Sequence, residues 1–353
     1  MREKLKFTCA NKGFLSTSIN NHQLAVIVPA YKPRFLAKAV ASLLSQSDQR
    51  FGIYVCDDAG PEQIGRVTHD LLKQRCHVYK RFDQNLGGAS IARHWNRCLE
   101  LVTEPWVWVF SDDDMMEPDC VRSFYEFLSH SNGQENVLRF DGLIIDHKDE
   151  PVELLPTNLD RESWVDYAYG MLMGWRSIRM QQLIIRRAAL QGIGGFVDFP
   201  LGWSTDDATL ILLTREQPVR RMVGGRLLWR TSDINITPGR SIKLRSKKVR
   251  AVCQFLAWLQ AQLVRPRVKL FPADEVAFRR AMDRHLITEI VYHGFFPTIA
   301  NWQLVAKTRK EICHGTRASL LRYMAVAGLV DSINCVGRAA QAALRRGRNG
   351  KAS

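Results

Sequence analysis

An α/β fold built on a parallel sheet is what this chain predicts, and three observations predict it. Short apolar runs closed by turn residues alternate with segments whose apolar residues recur at helical spacing. The candidate strands end in polar or acidic clusters, as expected where ligands bind beyond the carboxyl ends of parallel strands. The run Trp106, Val107, Trp108, Val109, Phe110 is too short for a helix and is followed by Ser111 and three consecutive carboxylates, Asp112, Asp113 and Asp114.

In chain order, residues 1–22 are polar and irregular and read as a leader. Leu24 to Val28, closed by Pro29, is the first strand. Phe35, Leu36, Ala39, Val40, Leu43 and Leu44 recur at helical spacing. Phe51 to Cys56 is a second strand, ended by the turn residues Asp57, Asp58, Ala59, Gly60 and Pro61. Ile64 to Leu72 reads as helix and His77 to Phe82 as a third strand. The loop Asn85-Leu86-Gly87-Gly88 enters a helix over Ser90 to Leu101. Then comes Trp106 to Phe110, with Pro118 and Asp119 opening the next helix.

Further on, Val137 to Ile145 and Met180 to Ile185 read as strands. The glycine-rich stretch Gly192 to Phe196 follows helix-like residues and lacks the spacing of a dinucleotide fingerprint. Thr205 or Asp206 caps an apolar helix, Ala208 to Leu213, so Asp206 and Asp207 serve at least its dipole. From Lys243 the pattern is basic and mostly helical: Ala251 to Val264, Leu286 to Ile299 and Leu320 to Leu344, ending in Arg345, Arg346 and Arg348.

The chain has 353 residues, 46% of them hydrophobic, enough for a sizeable core and more than one domain's usual length. Its net charge of +15 is unevenly placed. From Pro238 onward there are 22 Lys and Arg against 6 Asp and Glu, while the residues before hold 28 against 29. The organisation expected is a leader over 1–22, a catalytic domain over 23–237 and a basic helical region over 238–353, whose partner would be an anionic surface. Eight scattered cysteines without C-x-x-C spacing fit a reducing cytoplasm and no zinc site. Neither a secretory signal nor a run long enough to span a membrane is evident.

Adjacent carboxylates repel and lose solvation when buried, so Asp112 to Asp114 need a cation or water to offset them. A hard divalent ion carrying substrate phosphates meets that need, because such ions take one or two carboxylates and leave positions for phosphate oxygens. A solvated acidic turn at a helix start is the alternative. The three strand ends Pro29-Ala30-Tyr31, Asp57-Asp58 and Asp112-Asp113-Asp114 would gather along one rim of a parallel sheet, which favours a binding site.

Taken in order, Ala25 to Tyr31, Ser42 to Gln46, Val55 to Asp58, Asn85 to Gly88 with Ala92-Arg93, Asp112 to Asp114 with Pro118-Asp119, Gly194 to Phe196 and Asp206-Asp207 resemble the motifs of the family 2 inverting glycosyltransferases of bacterial polysaccharide and glycolipid synthesis. The resemblance covers about Leu24 to Thr237. It implies a GT-A fold, a Rossmann-like sheet flanked by helices, with the basic helical region as an extension. It further implies that Pro29, Ala30 and Tyr31 contact a nucleoside, that Asp58 accepts a base N–H from uracil or thymine, and that Arg93 and Asp112 lie at the nucleotide. Asp113, or Asp114 if the motif is read one residue later, would bind Mg²⁺ or Mn²⁺. Asp207, or else Asp206, would be the general base.

The implied reaction is single-step inverting transfer of one sugar from a UDP- or dTDP-sugar to a glycan or lipid-linked acceptor. The enzyme would be cytoplasmic, with the basic region resting on anionic lipid at the inner face of the plasma membrane, and no nucleic-acid partner is expected. Two departures stand out: Lys32 replaces the family's usual Asn, and Ser232 stands where many relatives have His. Arg230 and the loop Arg240 to Lys248 are candidates to contact the diphosphate instead. A sugar nucleotidyltransferase is the rival enzyme class, but Pro29 to Pro33 is not its Gly-rich basic loop. A catalytically inactive membrane- or nucleic-acid-binding protein is the rival non-enzyme.

Overall fold

The runs that read as strands share one sheet. In a computed structural model describing residues 22–156, 159–232, 241–264, 272–292 and 299–313, β1 (Leu24–Ala30), α1 (Leu36–Leu44), β2 (Phe51–Asp57), α2 (Gln63–Leu72), β3 (Cys76–Arg81), α3 (Ile91–Leu99) and β4 (Trp106–Val109) follow one another as the periodicity requires. After them come β5 (Met115–Met116), α4 (Cys120–His130), β6 (Val137–Ile145), β7 (Pro151–Leu154), β8 (Arg161–Glu162), α5 (Trp164–Leu172), β9 (Leu183–Arg186), α6 (Arg187–Gly192), α7 (Thr205–Leu213) and β10 (Val219–Arg230).

The sheet order is β3-β2-β1-β4-β9-β6-β10-β5, with β7 on β6 and β8 on β10. Strands β3, β2, β1 and β4 are mutually parallel. The parallel pattern expected from the alternating strands ends with them: β9 runs antiparallel to both β4 and β6, and β5, β7 and β8 are antiparallel to their partners. An apolar run buried on both faces looks the same in either direction, so its pattern carries no sign of orientation. Met180 to Gln182 form a 3₁₀ turn, not the start of a strand, because Gln182 folds back to accept the Arg179 N–H at 2.9 Å.

The core lies against this sheet. Val26, Val28, Val55 and Trp108 are fully buried, with Leu36, Val40 and Leu43 of α1 and Val121 and Phe124 of α4 packed in the same cluster. Leaving that much apolar surface in water would cost about 1.5–3 kcal/mol per side chain, which is what holds the strands' register. Trp108 stacks on Phe140 of β6 at 5.3 Å between ring centroids, fixing β4 relative to β6 across β9.

One irregularity matters for the site. The pairing of β10 with β6 shifts between Met222 and Arg226. The bulge is built on Gly224, at φ +101°, where a Cβ would stand 2.4 Å from Ser123 Oγ. Beyond it, Leu227 and Leu228 pair with Met116 and Met115 of β5, which brings the end of β10 beside Asp114.

Contacts divide the chain into two units, residues 1–171 with 175–236, and residues 172–174 with 237–353. In the second, α8 (Ile242–Leu263), α9 (Pro272–Tyr292) and α10 (Ile299–Thr308) bury Phe255, Leu256, Leu259, Phe278, Met282, Leu286 and Val305, and the Phe255 ring lies 6.4 Å from that of His285. Helix α8 begins at Ile242, earlier than its apolar run suggests, because Ser241 caps it by accepting the Leu244 N–H. Among the described residues no helix is long and apolar enough to cross a membrane. Residues 1–21, Phe271, Phe295, Phe296 and the helix expected over Leu320 to Leu344 lie outside the described residues.

Candidate active site

The parallel strand ends meet as the sequence requires. Ala30 pairs with Asp57, and the Asp58 N–H donates to the Ala30 carbonyl at 2.9 Å. From the β4 side, Asp112 Oδ2 accepts the backbone N–H of Tyr31 at 2.7 Å and of Lys32 at 2.6 Å. Asp112 therefore fastens the loop after β1 to the loop after β4. Ala30 is buried, Pro29 is half-buried, and the Tyr31 ring is 47% exposed and free to meet a ligand.

The three carboxylates are buried and differently occupied. Asp113 pairs with the Lys32 ammonium, Oδ2 to Nζ at 2.7 Å, and accepts the Ser111 hydroxyl through Oδ1. Asp114 Oδ1 accepts the Arg230 N–H at 2.8 Å, while its Oδ2 is buried with no hydrogen-bond partner. Burial first, and then the charge of Asp113, push Asp112 up to about 6 and Asp114 upward as well. Burial pulls Lys32 down, but the charges of Asp113 and Asp112 outweigh it and its pKa is raised.

These oxygens suit a hard divalent ion, and the partnerless Asp114 Oδ2 is an acceptor the fold leaves unmet. Among the described residues no three or more His, Cys, Asp or Glu are grouped so as to hold a metal. An ion that takes one or two carboxylates and completes its shell with phosphate oxygens does not require such a group.

Asp58 sits in a dense set of donors. Oδ1 accepts the Leu86 N–H at 2.9 Å and Arg97 Nη2, and Oδ2 accepts the Gly87 N–H at 2.8 Å. Gly87 is required here, because a Cβ would stand 2.7 Å from Asp58 Oδ2. Nδ1 of His94 lies 3.3 Å from Oδ1, but burial first lowers its pKa to about 4, so Arg97 is the cation at neutral pH. A carboxylate has about four lone-pair directions, and the three donors leave one on Oδ2. Arg93 lies exposed on α3, its backbone N–H engaged by the capping Ser90. The basic side chain on Asp58 is Arg97, one turn further along. Spacing of i to i+4 on one helix face could have pointed to it.

Asp206 and Asp207 occupy the first turn of α7, but the cap is Ser204, not Thr205 or Asp206. Ser204 has φ +61° and no capping side-chain bond; Leu201 before it has φ +66°. Two non-glycine residues in the left-handed region, at about 1 kcal/mol or more each, mark a strained approach of the kind found at functional sites. Asp206 Oδ1 accepts the Asp207 N–H at 3.1 Å. Burial first, then the Asp207 charge, push Asp206 up to about 7, with Arg179 pulling the other way. Asp207 Oδ1 accepts a hydrogen bond from the fully buried Tyr167 hydroxyl at 2.5 Å. Nothing in the sequence pointed to Tyr167.

The end of β10 links the two acidic groups, through the Arg230 backbone N–H on one side and the Trp229 ring on the other. Trp229 and Arg230 are consecutive on β10. Arg230 binds Asp114, and the Trp229 ring carries the Arg179 guanidinium at 4.8 Å, whose charge acts on Asp206. The loop before α7 is tied to α3 by Asn96, which accepts the Phe196 N–H at 2.8 Å, and by Ser90, which donates to Asp198 at 2.8 Å. Arg230 itself is fully buried: Nε donates to the Asp113 carbonyl at 2.7 Å, and Nη1 to the Asp146 carbonyl and to Asp149 Oδ1. It clamps the acidic loop from behind and is not a group presented to a diphosphate. The loop expected over Arg240 to Lys248 is corrected as well: Arg240 lies outside the described residues, Ser241 caps α8, and Ile242 to Lys248 are its first turns, with Lys248 buried.

A mixed sheet flanked by helices, with acidic loops at its parallel strand ends and an acidic pair at a helix start, has the GT-A architecture. Residues 25–149 match the model of glycosyl transferase family 2, and over that stretch the chain carries a family 2 glycosyltransferase domain. Its fold is similar to that of S. aureus TarS 1–349 in complex with UDP-GlcNAc, at 12% identity over 83% of this chain and 88% of that one, TM-score 0.52. It is also similar to S. aureus TarS at 14% identity over 85% of this chain and 54% of that one, TM-score 0.50. No curated protein matches the chain.

Proposed function

We propose that this glycosyltransferase transfers one sugar, with inversion, from a UDP- or dTDP-sugar to a glycan or lipid-linked acceptor of cell-surface polysaccharide synthesis. The observation that carries the reading is that three strand ends meet along one rim of the sheet: Asp112 fastens the loop after β1 to the loop after β4, and the Asp58 N–H binds the Ala30 carbonyl. The similar fold of TarS was determined with UDP-GlcNAc, which makes UDP-sugars the first donors to try.

Tyr31, with Pro29 and Ala30 behind it, packs on the nucleoside, and the remaining lone pair of Asp58 accepts a base N–H. Arg93 reaches the nucleotide from the exposed face of α3. Mg²⁺ or Mn²⁺ held by Asp113, or by Asp114, supplies positive charge against the leaving diphosphate when bound. Asp207 accepts the acceptor's hydroxyl proton as that oxygen attacks the anomeric carbon on the face opposite the leaving group. Tyr167 fixes the Asp207 carboxyl, and the proton that the acidic pair retains sits on Asp206, whose pKa is raised to about 7. The basic excess beyond Pro238 supports contact with an anionic lipid surface at the inner face of the plasma membrane, where a lipid-linked acceptor would lie.

The test is a panel of sugar nucleotides with Mn²⁺, followed by mass spectrometry for donor hydrolysis and transfer. One donor should be turned over, and Asp113→Ala and Asp207→Asn should each lose about a hundredfold or more of the rate. Turnover of none by the wild type, or turnover unaffected by either substitution, would remove the proposal.

A further inference from the structure

We propose that Lys32 is a tethered cation that competes with a divalent ion for the Asp113 carboxylate, so that metal enters this site by displacing the protein's own ammonium. The inference rests on the reading of Asp113 as metal ligand and adds the residue that controls access to it.

Three features of the loop after β1 carry it. First, the origin of the Lys32 side chain is fixed, because its backbone N–H is bound by Asp112 Oδ2 at 2.6 Å. The ammonium therefore returns to one place, Asp113 Oδ2, at 2.7 Å. Second, Oδ2 is the contested oxygen. Asp113 Oδ1 takes the Ser111 hydroxyl, Asp112 Oδ2 takes two backbone N–H groups and Asp114 Oδ1 takes the Arg230 N–H, while Asp114 Oδ2 has no partner to displace, so it is at Asp113 Oδ2 that an ion must compete with a side-chain cation. An ion approaching from solvent meets Lys32 first, since its side chain is 34% exposed against 7% for that of Asp113. Third, the competitor can leave. An ammonium on a four-carbon stem is a point charge with rotatable donors, without the planar fork that would lock an arginine onto a carboxylate.

The consequence is coupling between metal and nucleotide. A diphosphate arriving at the rim offers Lys32 a new anionic partner, which frees Asp113 Oδ2 for the ion. By reciprocity, bound metal also favours the nucleotide. Metal affinity in the absence of nucleotide should then be weak, and it should rise when the ammonium is removed.

The experiment is direct titration of the full-length protein with Mn²⁺ alone, reading free Mn²⁺ by its paramagnetic resonance, then repeated with UDP. Lys32→Asn and Lys32→Gln, the second keeping the stem, should each bind Mn²⁺ about tenfold more tightly than wild type, the scale of a partly buried cation–carboxylate pair. Lys32→Arg should bind Mn²⁺ more weakly than wild type, because a guanidinium fork leaves the carboxylate less readily than an ammonium does. UDP should tighten Mn²⁺ binding more in the wild type than in Lys32→Asn. Equal Mn²⁺ affinity in wild type and both neutral variants, with binding abolished in Asp113→Asn, would overturn the role of Lys32 and leave the metal reading standing. No Mn²⁺ binding by wild type or either neutral variant, with or without UDP, would overturn both.

Discussion

The Tyr167 hydroxyl donates to Asp207 Oδ1 at 2.5 Å from a fully buried position behind the first turn of α7. The phenol is itself supported from below. The Arg139 guanidinium lies 6.0 Å from the Tyr167 ring centroid and is ion-paired to Glu162 at 2.8 Å, and Glu162 also takes Arg176 at 2.8 Å. Burial first, and then the Asp207 charge, raise the Tyr167 pKa, so the hydroxyl keeps its proton and remains a donor to the carboxylate. Tyr167→Phe should lower kcat by about tenfold with little change in donor KM, because it frees the base to rotate without touching the nucleotide rim. Steady-state kinetics with the donor identified by the sugar-nucleotide panel check this, and a rise in donor KM at unchanged kcat would contradict it.

Asp206 supplies a pH dependence with a definite sign. Between the ordinary carboxylate value of 3.8 and about 7, the folded chain holds a proton on Asp206 that the unfolded chain has released. This contribution is fully present below 3.8 and is lost as pH rises through 7. Asp206→Asn cannot lose it, so the variant should gain on the wild type by roughly 1–2 kcal/mol between pH 4 and pH 8, allowing for solvent screening at a half-buried group. Urea unfolding of both proteins at the two pH values measures the gain. An equal stability difference at both would show that the fold does not raise the Asp206 pKa.

Gly87 tests the anchoring of the loop after β3 on Asp58. A methyl group there would stand 2.7 Å from Asp58 Oδ2, an oxygen already held by the Gly87 N–H. Asp58 cannot turn aside, because Leu86 N–H and Arg97 hold its other oxygen. Gly87→Ala should therefore cost about 1–3 kcal/mol of stability and raise the donor KM, while Gly192→Ala, with nothing within 4 Å of its Cβ and no left-handed φ, serves as the comparison without a clash. Denaturant midpoints and donor KM values decide between the two.

The relation of sequence to structure is visible in these residues. The apolar runs of β1, β2 and β4 are buried on both faces, so they stand out in the sequence and place Asp58 and Asp112 at the strand ends. Asp206 and Asp207 could be read because a helix start has a local chemistry. The direction of β9 could not be read, since apolar alternation has no polarity. Tyr167 and Arg139 were equally hidden: each meets its partner through the fold, at a separation of 40 residues for Tyr167 and Asp207. The role of Arg230 was misjudged for the same reason, because a basic residue at a strand end looks alike whether it faces a ligand or the core.

Arg230 gives the last prediction. Its side chain is fully buried and joins the Asp113 carbonyl, the Asp146 carbonyl and Asp149, while its backbone N–H holds Asp114. The guanidinium also lies 4.6 Å from the Phe35 ring centroid, so it is enclosed by the start of α1 as well. Arg230→Met keeps the backbone bond to Asp114 but removes the donor to the Asp113 carbonyl and one of the two donors at both the Asp146 carbonyl and the Asp149 carboxylate, which keep the Asp149 N–H and Lys38, and should cost about 3 kcal/mol. Because the clamp acts on the main chain of Asp113, donor turnover should fall with stability, and added salt or phosphate should not rescue it. A group that met the diphosphate directly would behave in the opposite way. Its loss would leave the urea midpoint unchanged and raise the donor KM alone. Unfolding and kinetics measured on the one variant therefore separate a clamp beneath the acidic loop from a ligand at its surface.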